Sequence, residues 1–235
     1  MRRFILFLLL FLLPACSPAE QSQIASTRNY HVTQTISLLN YGEGMPEKQN
    51  LWVALIRNIA PYQEMLSREI SPSSYTLMTD EYGNEYAEFD FSAHPPGTKF
   101  TVEIMYEVSV NEISYELEGC QGDSISGYTQ PELHIEANNP QIIALADKLA
   151  NGTACESTRA FYDHVGDTLT YRYNRNDWGA QATFGAMGSD CTEYADLMIA
   201  LSRAEDIPAR YFEGLLFLQE NTAEIAETEH AWLDV

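Results

Sequence analysis

Basic residues are scarce in this chain: 13 Lys and Arg stand against 34 Asp and Glu, a formal net charge of −21. A field of that sign repels phosphate backbones, which argues against a nucleic-acid partner, and it disfavours broad contact with anionic lipid. No apolar run is long enough to span a bilayer as a mature helix; the N-terminal one, Phe4 to Ala15, has twelve residues. The four cysteines never fall at Cys-x-x-Cys spacing, so structural zinc has little support. Histidines number only five, which keeps the candidates for general-base work few. Apolar bulk is not lacking. Hydrophobic residues make up 45% and aromatics 11%, enough for a core and against whole-chain disorder. At roughly 150 residues per domain, the 235 residues make one large domain or two small ones.

Arg2 and Arg3 precede the twelve-residue run, the anatomy of a signal peptide with its charged n-region and apolar h-region. The run closes Leu13-Pro14-Ala15-Cys16, which resembles a bacterial lipobox. That resemblance implies removal of residues 1–15, acylation of Cys16 and anchoring to a membrane without spanning it. Ser17 after the Cys implies the outer membrane, periplasmic face, of a Gram-negative envelope. Residues 16–29 read as a polar tether. Export places the cysteines in an oxidising compartment. With Cys16 lipidated, Cys120, Cys155 and Cys191 remain, and one of them stays free or pairs between chains. A Cys120–Cys155 disulfide would leave Cys191 as the odd thiol.

From about residue 30 the hydrophobic period is two. Phe100, Val102, Ile104, Tyr106, Val108 and Val110 alternate with Thr101, Glu103, Met105, Glu107, Ser109 and Asn111, a strand with one wet face. Ala87, Phe89 and Phe91 mark another, after the turn Asp80–Asn84. Val32, Ile36 and Leu38, and the run Leu51–Ile56, supply two more. Such spacing predicts an antiparallel β-sandwich over residues 30–118. His31 and His94 stand isolated there, with no partner at ligand spacing. Gly119, Gly122, Gly127 and Pro131 mark a linker at 119–131.

Over residues 132–235 the period becomes helical. Asn139 is a plausible N-cap with Pro140 at the first helical position, followed by the stripe Ile142, Ile143, Ala146 and Leu149. A second helix from about Glu156 carries Phe161, Val165 and Leu169. A loop of small residues, 179–188, leads into Gly188-Ser189-Asp190-Cys191 and then Ala195, Leu197, Met198 and Leu201. Ser189 or Asp190 can cap this third helix, so Cys191 falls in its first turn. Unpaired N–H groups and the helix dipole there favour thiolate over thiol and can meet a developing oxyanion. Placement alone leaves two readings of Cys191 open: a nucleophile, or a buried structural or disulfide cysteine. His230 opens an alternating, strand-like stretch, His230-Ala231-Trp232-Leu233-Asp234-Val235. A Cys at a helix start and a His on a later strand is the papain-like arrangement.

The run Gly188 to Cys191, then Tyr194-Ala195-Asp196-Leu197, Leu201-Ser202-Arg203-Ala204, Ile207-Pro208-Ala209-Arg210 and Gly214 resembles the core of the transglutaminase-like superfamily. His230-Ala231-Trp232 resembles its second motif. The resemblance covers roughly residues 130–235. It departs at Asp206, where the family usually has Gly at a helix C-terminus. It implies an α+β, papain-like helix-plus-sheet domain after the sandwich. It also implies Cys191 as nucleophile, with its backbone N–H toward the oxyanion, and His230 as base. No metal or organic cofactor is implied, and no EF-hand-like loop is present. Arg203 and Arg210 are expected to tie the helix to nearby carboxylates or carbonyls, and Trp232 to pack beside His230.

The family's triad ends on an Asp or Asn one strand later. Asp234 cannot serve: four residues along a strand separate it from His230 by roughly 13 Å. The expectation is therefore that the third member lies beyond Val235 and that the chain is incomplete, leaving a dyad. The function expected is thioester-mediated acyl transfer or hydrolysis at peptide amide bonds, on a protein or peptide substrate. The rival is a non-catalytic envelope module that uses the same fold to bind a partner.

Overall fold

The computed structural model describes residues 22–115, 127–173, 176–185, 188–216 and 229–235. The leader, Cys16, Cys120 and most of the expected linker lie outside the described residues. The chain divides into two compact units, Met1–Glu116 and Leu117–Val235.

The first unit is built from β1 (Ser22–Leu39), β2 (Asn50–Ala54), β3 (Gln63–Ser71), β4 (Thr76–Thr79), β5 (Glu85–Asp90) and β6 (Lys99–Tyr115). They form two antiparallel three-stranded sheets, ordered β1-β6-β3 and β2-β5-β4. Val102, Ile104, Tyr106 and Val108 of β6 are buried, the face that period-two alternation assigns inward. Val53, Ala87, Phe89 and Phe91 from the second sheet are buried as well. The two sets meet: Phe100 lies edge-on to Phe89 at 6.2 Å and to Phe91 at 4.2 Å between ring centroids. This is a sandwich with an aromatic seam. His94 packs edge-on against Phe91 and Phe100.

Residues 22–29, expected to be tether, are instead the start of β1. They pair with the far end of β6, where Ser26 bonds Glu112 and Thr27 bonds Asn111, each at 2.7 Å. Pairing by backbone and polar cross-strand contacts leaves no hydrophobic alternation to read in the sequence.

The second unit comprises α1 (Pro140–Leu149), α2 (Ala154–Thr168), a 3-10 turn (Ala180–Phe184), α3 (Cys191–Ala204), β7 (Arg210–Leu215) and β8 (Glu229–Asp234). Asn139 caps α1 through Gln141 N, with Pro140 at its start. Thr153 and Glu156 form a capping box on α2, which starts two residues ahead of the expected position. Ten residues of α3 are buried, so it is the central helix of this unit. Leu197, Ile199 and Leu201 pack with Ile142 and Ala146 of α1 and with Phe161 and Val165 of α2. β7 and β8 form an antiparallel ribbon, Arg210 opposite Asp234 and Gly214 opposite His230.

The C-terminus of α3 closes with two reversed hydrogen bonds, Asp206 N to Arg203 O at 3.1 Å and Ile207 N to Ser202 O at 2.9 Å. This Schellman geometry requires a left-handed residue, and Asp206 supplies it with φ 57°. A side chain in that region costs on the order of 1 kcal/mol relative to glycine. Asp206→Gly is therefore expected to raise the thermal midpoint by roughly 2–4 °C for a protein of this size, read by differential scanning calorimetry. An unchanged or lowered midpoint would mean that the aspartate makes a compensating contact.

Candidate active site

Asp190 caps α3, its Oδ1 accepting from Thr192 N at 3.1 Å. Glu193, the third residue of the helix, reaches back to accept from Asp190 N at 2.9 Å and outward to accept from Trp178 N at 3.0 Å. It is 1% exposed. A carboxylate at a helix N-terminus, holding two backbone donors, is favoured by both hydrogen bonds and dipole. Glu193 thus fixes the Trp178 loop against the first turn of α3. Tyr194 adds a second tie, its hydroxyl donating to Leu169 O at 2.8 Å. A third is the short parallel bridge between Tyr171 and Ser189, with Arg172 N donating to Ser189 O at 2.8 Å.

Cys191 occupies the first position inside this frame. It is half-buried, and its thiol is free. Cys155, at the start of α2, is disulfide-bonded. The Cys191 N–H belongs to the first turn, whose amides have no partner within the helix.

His230 lies on β8 opposite Gly214. Its ring is 6.5 Å from that of Trp232, which in turn stacks on Phe212 at 6.2 Å. Gly214 makes room for the stack, since a Cβ there would lie 2.4 Å from the Trp232 indole. Residues 230, 232 and 234 share one face of β8. Ala231 is buried and Leu233 packs on the core around α3, on the opposite face. The strand of His230 packs against the helix of Cys191, and the imidazole lies beside the Trp232 ring. Among the described residues no hydrogen bond joins the two side chains.

Arg203 ties the helix as expected, whereas Arg210, on β7, ties that strand to β8. Arg203 donates to the carbonyls of Ala209 and Gln130 and to Glu132 at 2.7 Å. Arg210 forms a two-pronged pair with Asp234, which occupies that carboxylate away from His230.

One feature near the helix start was not read from the sequence. Asp196 is 2% exposed and faces Asp177, with Glu193 and Glu136 nearby. Its Oδ2 receives no donor from the described residues. Burial first, then the neighbouring carboxylates, push its pKa up to about 9. Asp177 in turn lies 3.5 Å from His134 Nδ1. The pairs are 19 and 43 positions apart in the chain, and no local pattern links them.

Residues 143–235 match the family model of the transglutaminase-like superfamily. No curated protein matches the chain. Among solved structures, a candidate cysteine protease from Cytophaga hutchinsonii superposes with a TM-score of 0.68 at 16% identity, over 90% of this chain and 74% of that one. The periplasmic domain of TgpA from Pseudomonas aeruginosa gives a TM-score of 0.40 at 19% identity, over 91% of this chain and 67% of that one. The same domain bound to ethylmercury gives 0.40 at 18% identity, over 90% and 69%. Residues 143–235 thus form a transglutaminase-like domain, and the Cytophaga likeness bears on the fold alone.

Proposed function

We propose that this transglutaminase-like domain is a cysteine acyltransferase or amide hydrolase of the cell envelope, tethered by lipid on Cys16. The observation that carries the reading is Cys191, a half-buried free thiol on the first residue of a buried, side-chain-capped helix. In an oxidising compartment cysteines pair, as Cys155 does; one left unpaired at a helix start is placed for reaction rather than for packing.

In the proposed cycle the Cys191 thiol passes its proton to His230, its sulfur attacks a peptide amide carbonyl, and the Cys191 N–H helps hold the oxyanion. The C–N bond breaks, the leaving amine takes a proton from His230, and a thioester remains. Water then gives a carboxylic acid, or an amine gives a new amide, with His230 accepting the proton from the attacking group. Contacts between nucleophile and base are commonly long in unliganded enzymes and tighten with substrate. No hydrogen bond joins Cys191 and His230 among the described residues, which favours a second reading, in which the domain binds a protein or peptide without turning it over.

A panel of glutaminyl and acyl peptides, incubated with the full chain and a fluorescent primary amine, separates the two. Hydrolysed or amine-substituted peptides, seen by mass, support the enzyme, and their ratio gives the acceptor. Retention of intact peptide with no product supports the binding module.

A further inference from the structure

Resting on that reading, we propose that the polar cleft at Gly188 and Ser189, the residues leading into Cys191, is a carboxylate-recognition subsite centred on Arg172. The cleft has a volume of about 250 Å³ and is lined by Thr168, Thr170, Arg172, Thr183, Gly185 and Gly188. Gly188 is three residues before Cys191. Its lack of a side chain is used: a Cβ there would lie 2.6 Å from both Cβ and Cδ of Arg172. The arginine stem therefore lies directly on the Gly188 backbone, held there by the Arg172 N to Ser189 O hydrogen bond. Leu169 and Ser189 complete the wall.

The guanidinium is the unusual part. Arg57, Arg68, Arg159, Arg203 and Arg210 each reach a carbonyl or carboxylate. Arg172 engages no acceptor among the described residues, in a chain where acidic groups outnumber basic ones 34 to 13. The Thr168 and Thr183 hydroxyls already donate to His164 O and Ala180 O, so the planar two-pronged guanidinium beside Thr170 is the donor a carboxylate would meet. At a site that acts on peptide amides, the anion next to the reacting bond is either the chain's terminal carboxylate or an acidic side chain.

The test uses the full chain in two arms. First, the rates of Cys191 alkylation by iodoacetate and by iodoacetamide are compared by mass spectrometry. The iodoacetate-to-iodoacetamide ratio is expected to fall about tenfold in Arg172→Gln, and to fall less in Arg172→Lys, which keeps the charge but loses the fork. An unchanged ratio overturns the proposal. Second, Cys191→Ser protein is titrated with N-acetylglutamine, N-acetylisoglutamine and the neutral N-acetylglutaminamide, following the Gly185, Gly188 and Ser189 amide resonances. Tighter binding of the first than the neutral compound assigns a terminal carboxylate; tighter binding of the second assigns an acidic side chain. In both cases the preference must vanish in Arg172→Gln. Equal binding of all three overturns the subsite. Should neither reagent label Cys191, the thioester reading fails, and the titration still decides the cleft.

Discussion

Replacing Cys191 by alanine is expected to remove all covalent turnover, a loss of at least 10³-fold on the scale set by nucleophile deletions in acyl-transfer enzymes, while the protein stays folded. The fold survives because the sulfur is half-buried and the cap is carried by other residues, Asp190 and Glu193. The core under α3 rests on Leu197, Ile199 and Leu201, none of which the substitution touches. The thermal midpoint should therefore move by no more than a few degrees. His230→Gln is expected to cost about 10²–10⁴ in the chemical step, the range of a lost general acid–base group. The two losses should not add, because nucleophile and base act as one unit. Turnover assayed by peptide mass, together with the circular dichroism melt, checks both halves. Undiminished turnover in Cys191→Ala would place the chemistry elsewhere.

Asp196→Asn is expected to stabilise the protein, and increasingly so as pH rises. The sign follows from linkage. The folded-state pKa, about 9, lies above the ordinary value of 3.8, so folding below about pH 4 is unaffected by this group. Between about pH 4 and pH 9 the unfolded chain ionises Asp196 while the folded chain keeps it protonated, and stability is lost progressively. At pH 7 the cost is at most on the order of 4 kcal/mol. Asparagine is neutral at every pH and can donate to Asp177 as the protonated acid does, so it removes the cost. Equilibrium urea unfolding at pH 4.5, 7 and 8.5 should show a gap between variant and parent that widens with pH. A gap that is flat across this range would mean that Asp196 ionises in the folded state as it does in the unfolded one.

Much of this was legible in the chain. The long alternation ending at Val110 placed β6 and its inward face, because a half-buried strand must show period two. Asn139, Pro140 and Asp190 signalled helix starts through the chemistry of capping, and Arg203 and Arg210 were placed as structural ties. The motif brought Cys191 and His230 forward together, and residues 143–235 match the family they suggested. What escaped depends on contacts through space. β3 and β4 show little alternation because most of their residues are partly or fully exposed. The Asp196–Asp177 pair and the Arg172 stem on Gly188 join segments that only the fold brings together. The stretch at His230 was read as a strand, but which face of it meets α3 depends on its register with β7. Asp206 was visible as a departure from glycine; that it carries a left-handed φ became clear only in the backbone.

The central claim is that Cys191 is a reactive nucleophile in the folded protein. Its most direct test is a time course of iodoacetamide labelling of the native full chain at pH 7, with adducts located by peptide mass. The account predicts that Cys191 is labelled first, faster than glutathione under the same conditions, and that His230→Gln slows it. A Cys191 that stays unlabelled until the chain is denatured would contradict the claim and leave the binding module as the function of this fold.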